Sequence, residues 1–315
     1  MKRIQVRAYG KINLCLDVLR RLENGYHEVE MVMQQILLHD DVDVKWSEGT
    51  RQTRSEADDA FQIEVSTNRP YLPRDERNLA YKAAKQMYLA YGAERQGKVR
   101  IDIKKRIPVA AGLAGGSCNG AAVLHALNLL WGLRLKLPEL CAVGAELGSD
   151  VPFSLMGQAK ANPELGLADE PMASHCAIAR GTGTDLEPIA GLKSHLLLTK
   201  PPMGVSTAEV YKGLELDSIT EHPNIAELKE ALAGKNYRKI QKNMVNVLEN
   251  FTLTRYPKVM YTKNKVKRLL GEEAVLMSGS GPTIFALCKT REEAQHACEQ
   301  LKKENRETFW TRTTY

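Results

Sequence analysis

The sequence predicts an α+β protein in two domains. Three observations carry this reading. Strand-like and helix-like segments are mixed along the 315 residues without strict alternation, which argues against a doubly wound parallel sheet. A glycine-rich stretch from Pro108 to Ala122, PVAAGLAGGSCNGAA, lies between a strand pattern and an apolar helix. A chain of this length is long enough for two modest cores.

Taken in order, residues 4–8 and 12–18 alternate as strands do. Asn24-Gly25 is a hairpin turn signal, and residues 27–38 read as the returning strand. The polar run 48–60 reads as a surface loop, and residues 61–66 as a strand. NLAYKAAKQMYLAYG is an amphipathic helix that Asn78 can start and Gly92 can end. Residues 99–103 form the strand that feeds the glycine stretch, which runs into a helix at 119–130. A second helix follows at 137–147 and ends before GSDVPFSL. The second half opens with a strand at 194–199, then helices at 208–214, 225–232, 237–248 and 258–270. Residues 274–277 and 283–288 read as paired strands around the turn SGSGP, before a helix at 291–303 and a short last strand.

Composition excludes several classes. Hydrophobic content of 43% with 26% charged residues is that of an ordinary soluble protein. A net charge of +6 suits polyanionic ligands, but no basic run or basic-aromatic patch points to nucleic acid. The six cysteines form no CxxC pair and no zinc spacing, so reduced, mostly buried thiols are expected. No apolar run reaches membrane-spanning length, and MKRIQVRAYGKINL has neither a signal peptide's apolar core nor a transit peptide's lead. A cytoplasmic, bacterial protein acting on a small molecule, as a monomer or weak homodimer, is the expectation.

The glycine stretch is where chemistry is expected. Glycines let backbone N–H groups approach phosphate oxygens, and a helix N-terminus adds unpaired N–H groups and positive potential. Ser117 can cap that helix and also contact phosphate or a metal ion. An ordinary glycine-rich connection fits the glycines alone equally well. The stretch is not a Walker A loop, because no Gly-Lys-Ser/Thr closes it, and it is not a GxGxxG fingerprint.

Three stretches together settle more. PVAAGLAGGSCNGAA resembles the phosphate loop of the GHMP kinases. AYGKINLCLDVLRRLENGYHEVEMVMQQI is similar to the opening of the members whose acceptor is a cytidine diphosphate-linked methylerythritol, and MSGSGPTIFAL to the third family motif. The three occur in the family's order across nearly the whole chain. The resemblance implies a two-domain fold, with an N-terminal phosphate-loop domain at 1–157 and a ferredoxin-like C-terminal domain at 177–315. It also implies an active site between them, ATP and Mg2+, and transfer of a phosphoryl group to an alcohol. Another small-molecule kinase of the family, of homoserine or mevalonate type, and a catalytically silent nucleotide-binding regulator are the alternatives.

The resemblance assigns residues. Asp150 in GSDVPF becomes the catalytic base, with Lys11 of YGKINL beside it. A lone aspartate is otherwise a helix cap, and a lone strand lysine a solvated side chain. Pro108, Ala110, Gly112, Leu113, Ala114, Gly115, Gly116, Ser117, Cys118 and Asn119 fall to the phosphates of ATP, with Ser117 on the metal. Cys118 stands where serine is commoner in the family, which weakens a hydroxyl contact there. Beside a helix N-terminus it is instead a candidate reactive thiol. Lys105 and Asn78 match positions near the adenine. Asn13, Tyr26, His27, Thr207, Gly279 and Ser280 fall to the acceptor, Tyr26 and His27 by stacking on and hydrogen-bonding a pyrimidine. One segment departs from the pattern: QAKANPELGLADEPMASHC, residues 158–176, intervenes where the family usually runs on almost directly. It lacks periodicity and reads as an inserted surface loop.

Overall fold

A computed structural model describes residues 2–49, 61–92 and 94–315. The expected loop at 48–60 therefore lies largely outside the described residues. The chain begins with two long strands, β1 (Lys2–Arg21) and β2 (His27–Glu48), which pair with each other. Gly25 turns the hairpin at φ +83°, a conformation that glycine adopts without Cβ strain. The expected break within β1 is absent: the strand is continuous, and its middle is buried without alternation.

The residues group into two compact bodies. The first is drawn from segments 1–9, 39–107 and 115–173, the second from 10–38, 108–114 and 174–315. Each body thus draws on three separate segments of the chain. The long strands contribute one end to each body, and so does the glycine stretch.

In the first body, the far end of β2 pairs antiparallel with β4 (Gly97–Lys104), which pairs parallel with β3 (Phe61–Thr67). Val42, Val44, Val99, Ile101 and Val65 alternate into a core. Four helices complete this body: α1 (Leu79–Tyr91), α2 (Gly115–Leu130), α3 (Leu137–Leu147) and α4 (Asp150–Ala161). Asn78 caps α1 by accepting from the Ala80 N–H at 2.9 Å. The α2 segment 118–128 is buried throughout, as its unbroken apolar run predicts. It starts four residues before the expected position, so Ser117 lies within its first turn and is not its cap.

Residues 158–176, expected as an inserted surface loop, are partly built into the body. The α4 helix continues to Ala161, a 3-10 turn follows at Pro163–Leu165, and Gln158, Asn162, Leu165 and Ala173 are buried. Gln158 donates to the Cys118 carbonyl at 2.9 Å. Asn162 accepts from the Arg7 N–H at 3.2 Å and donates to the Arg7 carbonyl at 3.3 Å, as a strand neighbour would. The segment is held by buried polar groups, which carry no hydrophobic period for sequence reading to detect.

In the second body, the near end of β2 pairs with β5 (Cys176–Arg180), and β5 with β6 (Asp185–Pro188). A separate antiparallel sheet has the order β10-β7-β9-β8, from β7 (His195–Lys200), β8 (Val275–Met277), β9 (Ile284–Cys288) and β10 (Glu307–Arg312). The helices α9 (Pro257–Leu270) and α10 (Arg291–Lys302) pack on it. A β-α-β-β-α-β path with its fourth strand beside its first is the ferredoxin-like arrangement expected. Between β7 and α9 lie α5 (Thr207–Gly213), α6 (Ile225–Ala233), α7 (Tyr237–Lys242) and α8 (Glu249–Arg255). The helix expected over 237–248 stops at Lys242, because the chain turns at Asn243 and pairs with β1. The Leu16 N–H donates to the Val245 carbonyl at 2.9 Å, and the Val247 N–H to the Leu16 carbonyl at 3.0 Å.

Candidate functional site

The first body brings the start of α2 and the start of α4 together. Beneath the α2 terminus lies a buried polar cluster. Asp40, fully buried, accepts from the Lys105 ammonium, from Asn119 Nδ2 at 2.9 Å, and from the Arg106 and Ile107 N–H groups at 2.6 and 2.9 Å. Lys105 Nζ also donates to Asn119 Oδ1 at 3.0 Å and to the Gly115 carbonyl at 3.3 Å. A Cβ at Gly115 would sit 3.1 Å from Lys105 Nζ, so the helix start and the lysine are in close approach. Asp40 had no signal in the sequence: it is one aspartate of a pair in a strand, and only its burial marks it. The side chains of Lys105 and Asn119 brace the helix start, and that of Asn78 closes α1, donating to the Pro73 carbonyl at 2.8 Å. All three side chains are held by protein groups.

The Cys118 side chain is not the reactive thiol expected beside a helix N-terminus. It is 1% exposed, and its thiol donates to the Tyr9 carbonyl at 2.7 Å and lies 3.5 Å from Ser154 Oγ. Burial pushes the thiol up to about 12, so it is protonated and shielded at neutral pH. The α2 start instead presents Gly115, Gly116 and Ser117, of which Gly116 is exposed and the other two half-buried. The Cys118–Ser154 contact also fixes where Asp150 lies. Ser154 Oγ donates to the Asp150 carbonyl at 2.8 Å, one helical turn back, and Asp150 is half-exposed at the first position of α4. Asp150 thus lies one helical turn before the residue of α4 that contacts Cys118.

The second body gathers the remaining motif residues. Residues 108–114 make a tight loop in which Ala110, Gly112 and Ala114 have φ of 49°, 72° and 57°. Alternating signs of φ aim successive N–H groups into a concavity of the kind that holds anions. Two alanines in the left-handed region store strain, which the surrounding contacts must enforce. They do so on both sides: the Lys11 N–H donates to the Leu113 carbonyl at 3.2 Å, and Ser278 Oγ to the Gly112 carbonyl at 2.9 Å. A Cβ on Gly112 would lie 2.1 Å from the Ser278 carbonyl oxygen, so only glycine fits.

Lys11 is 4% exposed and donates to Asn13 Oδ1 at 2.8 Å. Gly279, at φ +55°, lies against both partners of this corner: a Cβ there would be 3.4 Å from the Gly112 carbonyl and 3.5 Å from Asn13 Oδ1. Ser280 Oγ is 2.9 Å from Thr207 Oγ1 at the start of α5. Thus Lys11, Asn13, Gly112, Leu113, Thr207, Gly279 and Ser280, spread over the sequence, form one corner. Asn246, which the sequence did not single out, holds it. Buried at 3% exposure, it donates to the Met277 and Gly279 carbonyls, both at 2.8 Å.

At the hairpin end, Tyr26 is 63% exposed and His27 half-buried. The His27 ring lies 5.2 Å from that of Tyr211 on α5, a second aromatic that the sequence did not flag. Burial, and then the Arg21 charge, lower the His27 pKa, which keeps the imidazole neutral near pH 7 and able both to donate and to accept. Among the described residues no helix is long and apolar enough to cross a membrane.

Comparison with known proteins agrees with this arrangement. Residues 78–158 match the model of the GHMP kinases N terminal domain, and 226–307 that of the GHMP kinases C terminal domain. The chain is 44% identical over 301 residues to the 4-diphosphocytidyl-2-C-methyl-D-erythritol kinase of Geobacillus sp. (strain WCH70), covering 95% of this chain and 93% of that one. It is 42% identical over 302 residues to the Bacillus subtilis (strain 168) kinase of the same name, with the same coverage. A crystal structure of 4-(cytidine 5'-diphospho)-2C-methyl-D-erythritol kinase superposes with a TM-score of 0.76 at 30% identity, covering 99% of this chain and 100% of that one. The chain belongs to the GHMP kinases, in the family of the 4-diphosphocytidyl-2-C-methyl-D-erythritol kinases.

Proposed function

We propose that the protein transfers the terminal phosphoryl group of ATP to the 2-hydroxyl of 4-diphosphocytidyl-2-C-methyl-D-erythritol, a step of non-mevalonate isoprenoid biosynthesis. The observation that carries this reading is near-full-length similarity, at 44% identity, to kinases of that name. The homoserine, mevalonate and silent-regulator alternatives have no comparable support.

Phosphoryl transfer of this type asks the protein chiefly for positioning and charge compensation. In this reading the N–H groups of residues 110–114 and the α2 start hold the phosphates of ATP. The bracing of both segments keeps those dipoles oriented before substrate arrives. Asp150 accepts the acceptor's hydroxyl proton on a carboxylate oxygen, and the Lys11 ammonium offsets negative charge on the moving group. Asn13 fixes the Lys11 ammonium. Gly279, Ser280 and Thr207 shape the acceptor side, while Tyr26 and His27 select the cytosine.

Magnesium belongs to the proposal. It keeps water and substrate phosphates in its shell and needs few protein oxygens. The half-buried Ser117 hydroxyl in the first turn of α2 fits that donor set. When bound, the ion would compensate charge on the β- and γ-phosphates.

A panel of acceptors with radiolabelled ATP tests the reading. Label should pass to 4-diphosphocytidyl-2-C-methyl-D-erythritol and not to homoserine or mevalonate. Transfer to either of those at a comparable kcat/KM would overturn it.

A further inference from the structure

A second cluster lies on the ferredoxin-like sheet of the second body, and none of its residues belongs to the site above. Leu37, His195, Arg291, Trp310, Thr311 and Arg312 line a cleft of about 400 Å³. It opens along β10, the edge strand, where Trp310 and Arg312 are two residues apart and so project from the same face. Arg312 stands directly opposite His195 on β7. The Arg291 guanidinium lies 4.8 Å from the centre of the Trp310 ring, and Trp310 is 41% exposed. Beside it, Lys193 and Arg312 share the Tyr315 ring at 4.3 and 5.9 Å.

The charge here is unbalanced. Among the described residues, Lys193, Arg291 and Arg312 have no carboxylate within ion-pair distance. Glu292 is the neighbouring acid. Its pKa is lowered first by its own backbone N–H and the Thr290 hydroxyl, and also by the charges of Arg291 and His195, so one exposed acid faces three cations. His195 Nδ1 is buried and has no hydrogen-bond partner in the structure. Two guanidiniums and a partly exposed aromatic ring meet at one concavity, with His195 in its wall.

We propose that this cleft is a second ligand site, for a small organic phosphate. The phosphate would bridge Arg291 and Arg312, because guanidinium forks match its oxygens. The carbon-bearing part would lie against Trp310. The cleft's volume is within the range of small-molecule sites, whereas a bare ion would leave the aromatic face uncovered.

Trp310 supplies the readout. Trp46 and Trp131 are 3% and 6% exposed, so solvent-sensitive emission comes chiefly from Trp310. The full-length protein is titrated with inorganic phosphate, a nucleoside monophosphate and an alkyl phosphate at constant ionic strength. The two organic arms distinguish a planar from an aliphatic ligand. A saturable emission change is expected with at least one organic phosphate, at about tenfold lower concentration than with inorganic phosphate. It should vanish in Trp310→Phe, and should shift at least about tenfold in Arg291→Gln/Arg312→Gln, whose kcat/KM stays that of the parent. No saturable change, a change that survives the double substitution, or equal response to inorganic phosphate would overturn the proposal.

Discussion

Replacing Asp40 by asparagine should open the floor beneath the start of α2 without changing the shape of the residue. The carboxylate is fully buried and receives four donors: Lys105, Asn119, and the N–H groups of Arg106 and Ile107. The amide keeps one oxygen for the two backbone groups. It then turns an NH2 toward Lys105 and Asn119, which are themselves donors. A buried ammonium, 5% exposed, is left without its counter-charge. Breaking a buried pair from one side costs about 3–5 kcal/mol, most of it the unpaired charge. Hydrogen exchange of amides in β4 and the first turns of α2 reads this locally, which suits a chain whose two bodies need not unfold together. Their opening free energy should fall by about that amount, and KM for ATP should rise. Asp40→Leu combined with Lys105→Met, which removes both charges, should recover much of the loss. A fall below about 1 kcal/mol in Asp40→Asn would refute the reasoning, since it would mean that the ammonium is solvated or otherwise paired.

Three further outcomes follow from other contacts. Gly112→Ala places a Cβ 2.1 Å from the Ser278 carbonyl at φ +72°, so the loop or the 278–281 turn must move; kcat/KM should fall at least about tenfold, and a parental value would contradict the packing. His125, fully buried in α2 with Nε2 3.0 Å from the Leu155 carbonyl, has its pKa lowered to about 4 by burial. As pH falls below 6.5 the unfolded chain binds a proton that the folded chain does not take until about 4. Stability should therefore decline across that window by up to about 3 kcal/mol, and His125→Met should flatten the decline measured by urea titration. Cys118 should resist alkylation in the native protein whether or not ATP is present, because its thiol is buried and protonated; rapid labelling of Cys118, mapped by mass spectrometry, would show that the region opens.

The sequence announced those parts of the fold that repeat a period or carry a turn signal. The Asn24-Gly25 hairpin, the capped α1, the buried α2 and the paired strands around SGSGP were legible because each is specified locally. Residues 158–173 were not: Gln158 and Asn162 pay for their burial with hydrogen bonds, and polar residues in a non-periodic run look like solvent-facing ones. Asn246 was hidden for the same reason. Its role depends on two carbonyls about 30 residues further along the chain. The motifs gave Lys11, Gly112 and Gly279 separate roles without showing that they meet. The buried thiol of Cys118 was not legible, because a motif position does not say which way a side chain points.

The most direct measurement on the central proposal is the chemical step in Asp150→Asn. The amide preserves size and the half-exposed position at the start of α4 but cannot accept the hydroxyl proton as a base. In a single-turnover reaction with saturating ATP and acceptor, the account predicts a rate lower by about 10²–10⁴. ATP affinity should be little altered, because the phosphates are assigned to backbone groups of other segments. A single-turnover rate within about threefold of the parent would contradict the assignment and leave positioning and electrostatics alone to explain the transfer.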